Sequence, residues 1–250
     1  MTDWVLLRGL MRASQHWESF PQQFSQAFPA SRLHLFDFPG NGSRWQEPSL
    51  SEVGAMAEFC QQQSILAGLT RPFNVLAVSL GAMCAIEWAR RYPADIGKLV
   101  LINTSVANYS RFYQRLRSNN LGLLLGLLKH SAGLKQEQII LQLTSQLYYP
   151  RHPELAQRWA AYAQQQPVSR RNILRQLRAA SSYVAPPRPP IPEVLILNSA
   201  ADQLVDPACS AALAHHWQCP LYTHSCAGHD LSLDDADWLI AQISQHWAQA

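Results

Sequence analysis

Six short aliphatic runs, separated by stretches with helical periodicity, constrain this chain more than any other feature. They are Trp4–Leu7, Leu33–Asp37, Phe73–Val78, Lys98–Asn103, Glu193–Asn198 and Leu221–Ser225. A strand with one wet face alternates apolar and polar residues, whereas these are apolar almost throughout, as strands covered on both faces must be. Parallel pairing needs a crossover between strands, commonly a helix. Helical patterns fall near Gln15–Ala27, Leu50–Ala67, Leu80–Tyr92, Pro207–Trp217 and Asp234–Ala248. The last carries Trp238, Leu239, Ile243 and Trp247 at helical spacing, so one of its faces should bury. The expected class is α/β, a mostly parallel sheet flanked by helices.

Residues 104–190 break the alternation. They hold leucine-rich and Gln/Arg-rich helical patterns and no convincing strand, and they end in the stiff stretch Ala185-Pro186-Pro187-Arg188-Pro189-Pro190. The expected organisation is a core of residues 1–103 and 191–250 with residues 104–190 inserted as a helical cap. Charge follows the same boundaries. The net charge of +3 conceals 8 basic against 8 acidic residues over 1–103, 12 against 2 over 104–190, and 0 against 7 over 191–250. A basic block inside a neutral-to-acidic chain is a reason to expect a separate task for it.

Composition excludes several classes. With 48% hydrophobic residues the chain is not disordered, and no apolar run approaches the roughly 18 residues of a membrane span. The N-terminus lacks the features of a secretory signal. The five cysteines have no metal-type spacing and read as reduced thiols of a cytoplasmic protein. His215, His216 and His224 lack ligand spacing with Cys or carboxylate, so neither a metal nor another cofactor is expected. The basic block carries no nucleic-acid motif and no interleaved aromatics, so no nucleic-acid partner is expected.

Three segments could carry chemistry. In Phe73-Asn-Val-Leu-Ala-Val78-Ser79-Leu80-Gly81-Ala82 an apolar strand enters a small-residue turn centred on Ser79 and then a helix. Such a turn can present a nucleophilic hydroxyl at the sheet's C-terminal edge; Ser79 could also serve only as a helix cap. His229, in Cys226-Ala227-Gly228-His229-Asp230 beyond the last strand, is placed to act as general base. Asp202, just past the fifth strand, could orient that histidine. Asp206 competes, although its position before Pro207 and a helix suits a cap.

With these segments in order, the chain resembles the α/β-hydrolase superfamily over nearly its whole length. Leu6-Leu7-Arg8-Gly9-Leu10 resembles the oxyanion loop, with Arg8 in place of the usual histidine. Asp37-Phe38-Pro39-Gly40-Asn41-Gly42-Ser43 resembles the D-x-P-G-x-G-x-S segment, and Ser79-Leu80-Gly81-Ala82 the nucleophile elbow, closed by Tyr92-Pro93. Gly228-His229-Asp230 resembles the base loop. The order Ser79, Asp202, His229 is that of the superfamily. Because the sequence starts at the strand before the oxyanion loop, the superfamily's first hairpin is expected to be missing.

The resemblance implies a serine hydrolase acting on an ester or thioester, with Ser79, Asp202 and His229 catalytic and the N–H groups of Leu10 and Leu80 binding the oxyanion. A ligand-binding or partner-binding protein of the same fold, with little turnover, is the alternative. Arg8 could contact a substrate carboxylate or hold its loop through a salt bridge. In the basic cap, Arg111, Arg115 and Arg117 form one cluster and Arg170, Arg171, Arg175 and Arg178 another. They form either a solvated face or a landing site for an acidic acyl-carrier or coenzyme A-linked partner or an anionic lipid surface. Leu121, Leu123, Leu124, Leu125, Leu127 and Leu128 could line an acyl pocket or pack the cap.

Overall fold

All six aliphatic runs form strands: β1 (Thr2–Leu7), β2 (Ser31–Phe36), β3 (Phe73–Val78), β4 (Ile96–Ile102), β5 (Val194–Ser199) and β6 (Leu221–His224). The computed structural model describes residues 1–117, 122, 126 and 132–248. The strands pair in the order β2-β1-β3-β4-β5-β6, and every neighbouring pair is parallel. After β1 the chain steps outward to β2, then returns to build the other half from β3. That reversal opens a crevice between the ends of β1 and β3, where α/β proteins bind their ligands.

For the four central strands the continuous apolar character has the expected cause, whereas the edge strands β2 and β6 are only partly covered. Alternate residues enter two separate cores: Val5, Leu7, Val75, Ala77, Leu99 and Leu101 one, and Leu6, Leu76, Val78, Val100, Leu195 and Leu197 the other. The first core is covered by α2 (Val53–Leu66), α3 (Leu80–Arg91) and α8 (Ala208–Trp217), and the second by α1 (Phe20–Ala27) and α10 (Ala236–Ala248). On α10, Leu239 and Ile243 are buried and Trp238 and Trp247 are half-buried at the edge of the second core.

Between β4 and β5 the described residues hold helices and no strand: α4 (Phe112–Arg115), α5 (Leu134–Thr144), α6 (Leu155–Gln165) and α7 (Arg170–Ser182). The leucines at 121, 123–125, 127 and 128 lie outside the described residues. A short α9 (Leu231–Asp234) precedes α10. No helix among the described residues is long and apolar enough to cross a membrane.

The first helix differs from expectation. Instead of one helix over Gln15–Ala27, a 3-10 turn at Ser14–Trp17 is followed by α1 at Phe20–Ala27. Glu18 breaks the run with φ of 49°. Pro21 could not continue a single helix, since it has no N–H and its ring would strike the carbonyl of Trp17.

The tightest packing lies where α3 starts. A Cβ on Gly81 would stand 2.6 Å from the carbonyl oxygen of Arg8 and 2.7 Å from that of Leu7. Both obstacles are backbone at the end of a central strand and cannot yield. Gly81→Ala should therefore destabilise the fold by about 1–3 kcal/mol, the usual range for overpacking. A urea midpoint equal to that of the unsubstituted chain refutes this.

Candidate active site

Ser79 occupies the junction of β3 and α3 with φ 56° and ψ −117°, a conformation costly for a residue with a side chain. The surroundings hold it there. Its N–H donates to Ile102 O at 2.9 Å, and its carbonyl accepts from Met83 N–H at 3.2 Å and from Thr104 Oγ1 at 3.1 Å. Its side chain is half-buried. The loop after β1 passes directly above, since a Cβ on Gly9 would lie 3.0 Å from Ser79 Cβ. Leu80 is the first residue of α3, so its N–H has no acceptor within the helix.

His229 and Asp202 meet beyond β5 and β6. His229 Nδ1 lies 2.7 Å from Asp202 Oδ2, with both residues buried. A carboxylate only accepts, so the proton of the neutral imidazole sits on Nδ1 and the Nε2 lone pair is left available. Asp202 is itself fixed: its Oδ1 accepts the N–H groups of Leu204 at 2.8 Å and Val205 at 2.9 Å. Asp206, the competing carboxylate, accepts the Ala208 N–H at 2.9 Å at the start of α8, so it caps that helix.

Asn103 joins the two parts. It follows β4 in the left-handed region with φ of 46°. Its Nδ2 donates to the His229 carbonyl at 2.8 Å and to Ser199 Oγ at 3.0 Å, while its Oδ1 accepts the Ser199 N–H at 2.9 Å. The segment 102–104 thus grips Ser79 from one side and the base loop from the other. Sequence reasoning missed Asn103; its one visible signal is an amide at a strand end, a residue type that tolerates positive φ.

The loop that carries His229 is also tied to the segment between β4 and β5. Asp234 Oδ2 accepts the N–H groups of Gly228 at 2.7 Å and Gln146 at 2.8 Å, and Asp230 N–H donates to Thr144 O at 2.7 Å. On the other side of the crevice, α7 reaches the loop after β1. Gln176 Oε1 accepts the N–H of Met11, itself at φ 59°, and its Nε2 donates to Asn41 and Ser49. Arg12 pairs with Glu137 of α5 at 2.7 Å in a buried contact, with its guanidinium over Trp159. Asp37 accepts from Ser14 N–H at 2.7 Å and Ser43 N–H at 2.9 Å, which anchors the 37–43 turn beside this loop.

The arginines expected at the site separate into two groups. Arg8 is buried and paired with Asp230, the salt-bridge arrangement of the two alternatives the sequence left open. Arg115 is likewise not a free landing charge: it donates to the carbonyls of Ala180 and Ser181, which end α7. In both cases the partner comes from a distant part of the chain. Arg171 and Arg175 are exposed on the outer face of α7, and Arg111 is exposed beside Tyr113.

His16 is buried between Arg8 and Arg12. Burial first, and then the charges of those two arginines, hold its pKa well below the ordinary 6.5. The unfolded chain therefore binds a proton at His16 before the folded one does, and stability falls as pH drops below about 6.5. Asparagine at position 16 keeps an acceptor for the Ala13 N–H but cannot titrate. In His16→Asn the melting temperature should change less between about pH 7.5 and pH 5 than in the unsubstituted protein. Equal slopes in the two proteins refute this assignment.

Comparison with known proteins identifies the family. The profile of the alpha/beta hydrolase family matches residues 4–242. A pimeloyl-[acyl-carrier protein] methyl ester esterase of Nitrosospira multiformis is 35% identical over 105 residues, which is 41% of this chain and 38% of that relative. The chain thus aligns with well under half the length of that curated relative. Among solved structures, a chain from Mycobacterium tuberculosis H37Rv named as a non-haem bromoperoxidase superposes with a TM-score of 0.76 at 19% identity, covering 100% of this chain and 92% of that one. A thermophilic esterase of Thermogutta terrifontis gives 0.74 at 17% identity, covering 100% and 90%. At such identities the two structures speak for the fold alone. The match to the family profile over nearly all of the sequence establishes that the chain belongs to the alpha/beta hydrolase family.

Proposed function

We propose that this protein is a serine hydrolase that cleaves a carboxylic ester or thioester through an acyl-enzyme on Ser79. The observation that carries the reading is a serine held at φ 56° at the strand–helix junction and joined through the segment 102–104 to a histidine that is paired with a buried aspartate at 2.7 Å. Backbone strain of this kind persists only where the surroundings enforce it, and it turns the hydroxyl outward.

In this mechanism His229 Nε2 takes the proton of Ser79 as Oγ attacks the carbonyl, then returns it to the leaving group. Water attacks the acyl-enzyme by the same route in reverse. Asp202 holds the Nδ1 tautomer and stabilises the imidazolium formed in each half-reaction. The N–H groups of Leu10 and Leu80 bind the oxyanion, each contributing about 2.7–4 kcal/mol in the transition state.

Residues 104–190 act in this reading as a cap over the crevice, with α7 and α5 seated on the loop after β1. The activity for which the Nitrosospira relative is named favours a substrate carried on an acyl carrier protein. The exposed Arg171 and Arg175, one turn apart on α7, supply positive charge that an acidic carrier or coenzyme A-linked substrate requires, and Arg111 is exposed as well. All five cysteines are free, which fits a cytoplasmic site of action.

Ser79→Ala and His229→Ala should each lower kcat/KM toward short p-nitrophenyl esters by about a thousandfold or more. A fluorophosphonate probe should label the intact protein at Ser79. Full activity in either variant, or no labelling, overturns the hydrolase reading, and absent labelling favours a binding protein instead. Arg171→Ala and Arg175→Ala should each cost about two- to fivefold in kcat/KM on a carrier-linked ester at low salt, and nothing on p-nitrophenyl acetate. An identical response with both substrates removes the carrier from the proposal.

A further inference from the structure

We propose that the buried Arg8–Asp230 ion pair is a positioning device for this chemistry, locking the oxyanion loop to the base loop and balancing the charge beside His229. The inference rests on the hydrolase reading of Ser79, Asp202 and His229. Arg8 immediately precedes Gly9 and Leu10, whereas Asp230 immediately follows His229, 222 residues away in sequence. The pair therefore joins the residue two before the oxyanion donor Leu10 with the residue next to the base.

The contact is a two-pronged fork. Arg8 Nη1 donates to Asp230 Oδ1 at 2.9 Å, and Nη2 donates to Oδ2. Two parallel bonds between planar groups fix an angle as well as a distance, which a lysine could not do. Ser232 Oγ completes the group, accepting from Arg8 Nη1 at 3.2 Å and donating to Asp230 Oδ1 at 2.9 Å. The ring of Trp17 lies 4.7 Å from the guanidinium carbon. Both residues are only 3% exposed, so a substrate carboxylate could reach Arg8 only by expelling Asp230.

The charge argument is independent of the geometric one. Around His229 stand Asp202 at Nδ1, Asp234 bonded to the Gly228 N–H, and the Arg8–Asp230 pair. Beyond Arg8 lie His16, held neutral by burial, and the Arg12–Glu137 pair. Burial opposes ionisation of Asp230, but the charge and hydrogen bonds of Arg8 outweigh it and hold the carboxyl below its ordinary pKa. An ionised Asp230 without Arg8 would favour the imidazolium and disable the base. Arg8 without Asp230 would oppose the imidazolium that each half-reaction must form. The pair together is nearly neutral toward His229.

Two variants test this against the wild type, with ester hydrolysis and fluorophosphonate labelling as readouts. Arg8→Met/Asp230→Leu replaces the pair by apolar groups and should fold, because such exchanges of buried ion pairs are tolerated. Its kcat should fall about a hundredfold with KM within about threefold, the signature of misplaced reacting groups. Asp230→Asn leaves Arg8 unbalanced, so the acid limb of kcat/KM should move to lower pH, and in the double variant it should return to the wild-type position. A merely structural pair would not move that limb. Wild-type kcat in the folded double variant overturns the clamp, as does an acid limb in Asp230→Asn that stays in place or moves upward. If the double variant does not fold, the Asp230→Asn profile decides alone. A wild type that neither hydrolyses esters nor labels at Ser79 overturns the hydrolase reading and the clamp with it. A wild type that does both, beside variants that match it, overturns the clamp only.

Discussion

The turn at Ser79 exists because residue 81 has no side chain. The N-terminus of α3 rests against the carbonyls of Leu7 and Arg8 at the end of β1, with room there for hydrogen and nothing larger. That approach fixes where the elbow stands relative to the β1 loop, and Gly9 repeats the device from the other side by passing within contact of Ser79 Cβ. Two glycines, one in the first turn of α3 and one in the loop after β1, thus bring the serine and that loop together. A parallel sheet makes this possible, because β1 and β3 are neighbours and point the same way. Their ends open at one edge, where α3 presents the unpaired N–H groups of its first turn.

A second layer of the design is polar and buried. Arg8–Asp230, Arg12–Glu137 and the Gln176 amide with Met11, Asn41 and Ser49 surround the loop after β1. Such contacts add little net stability, since desolvation offsets most of their attraction, but their geometry is exacting and a broken pair costs about 3–5 kcal/mol. They suit a loop that must hold one conformation. Asp234 does the same for the base loop by gathering the N–H groups of Gly228, Gln146 and Tyr148. Both loops are therefore held partly by the segment between β4 and β5, which makes that segment a support for the crevice as well as a neighbour of it.

The six strands and five main helices were legible because each is a local pattern. Continuous apolar runs need two covered faces, and Leu239 with Ile243 needs one. Ser79, Asp202 and His229 were legible for a related reason: each stands just past a strand, where a parallel sheet gathers side chains from distant parts of the chain. The choice of Asp202 over Asp206 followed from Pro207, which marks a helix start. The split of the first helix was less visible, because Pro21 is tolerated early in a helix and Glu18 carries no sign of its positive φ. Asn103 was invisible in its role, since nothing local tells an amide at a strand end that its partners lie in the loop after β6.

What the sequence by itself determined is the six strands, their fitness for parallel pairing, the main helices between them and the residues at the strand ends, all of which depend on spacing within a dozen residues. What only the tertiary structure decided is which charges are free. Arg8, Arg115 and Arg171 look alike in sequence, yet the first is locked to Asp230, the second to the carbonyls ending α7, and the third faces solvent. The physical reason is that an arginine's role depends on whether a distant acceptor reaches it in a dry environment. Burial and pairing are properties of the folded whole, and no periodicity within one segment encodes them.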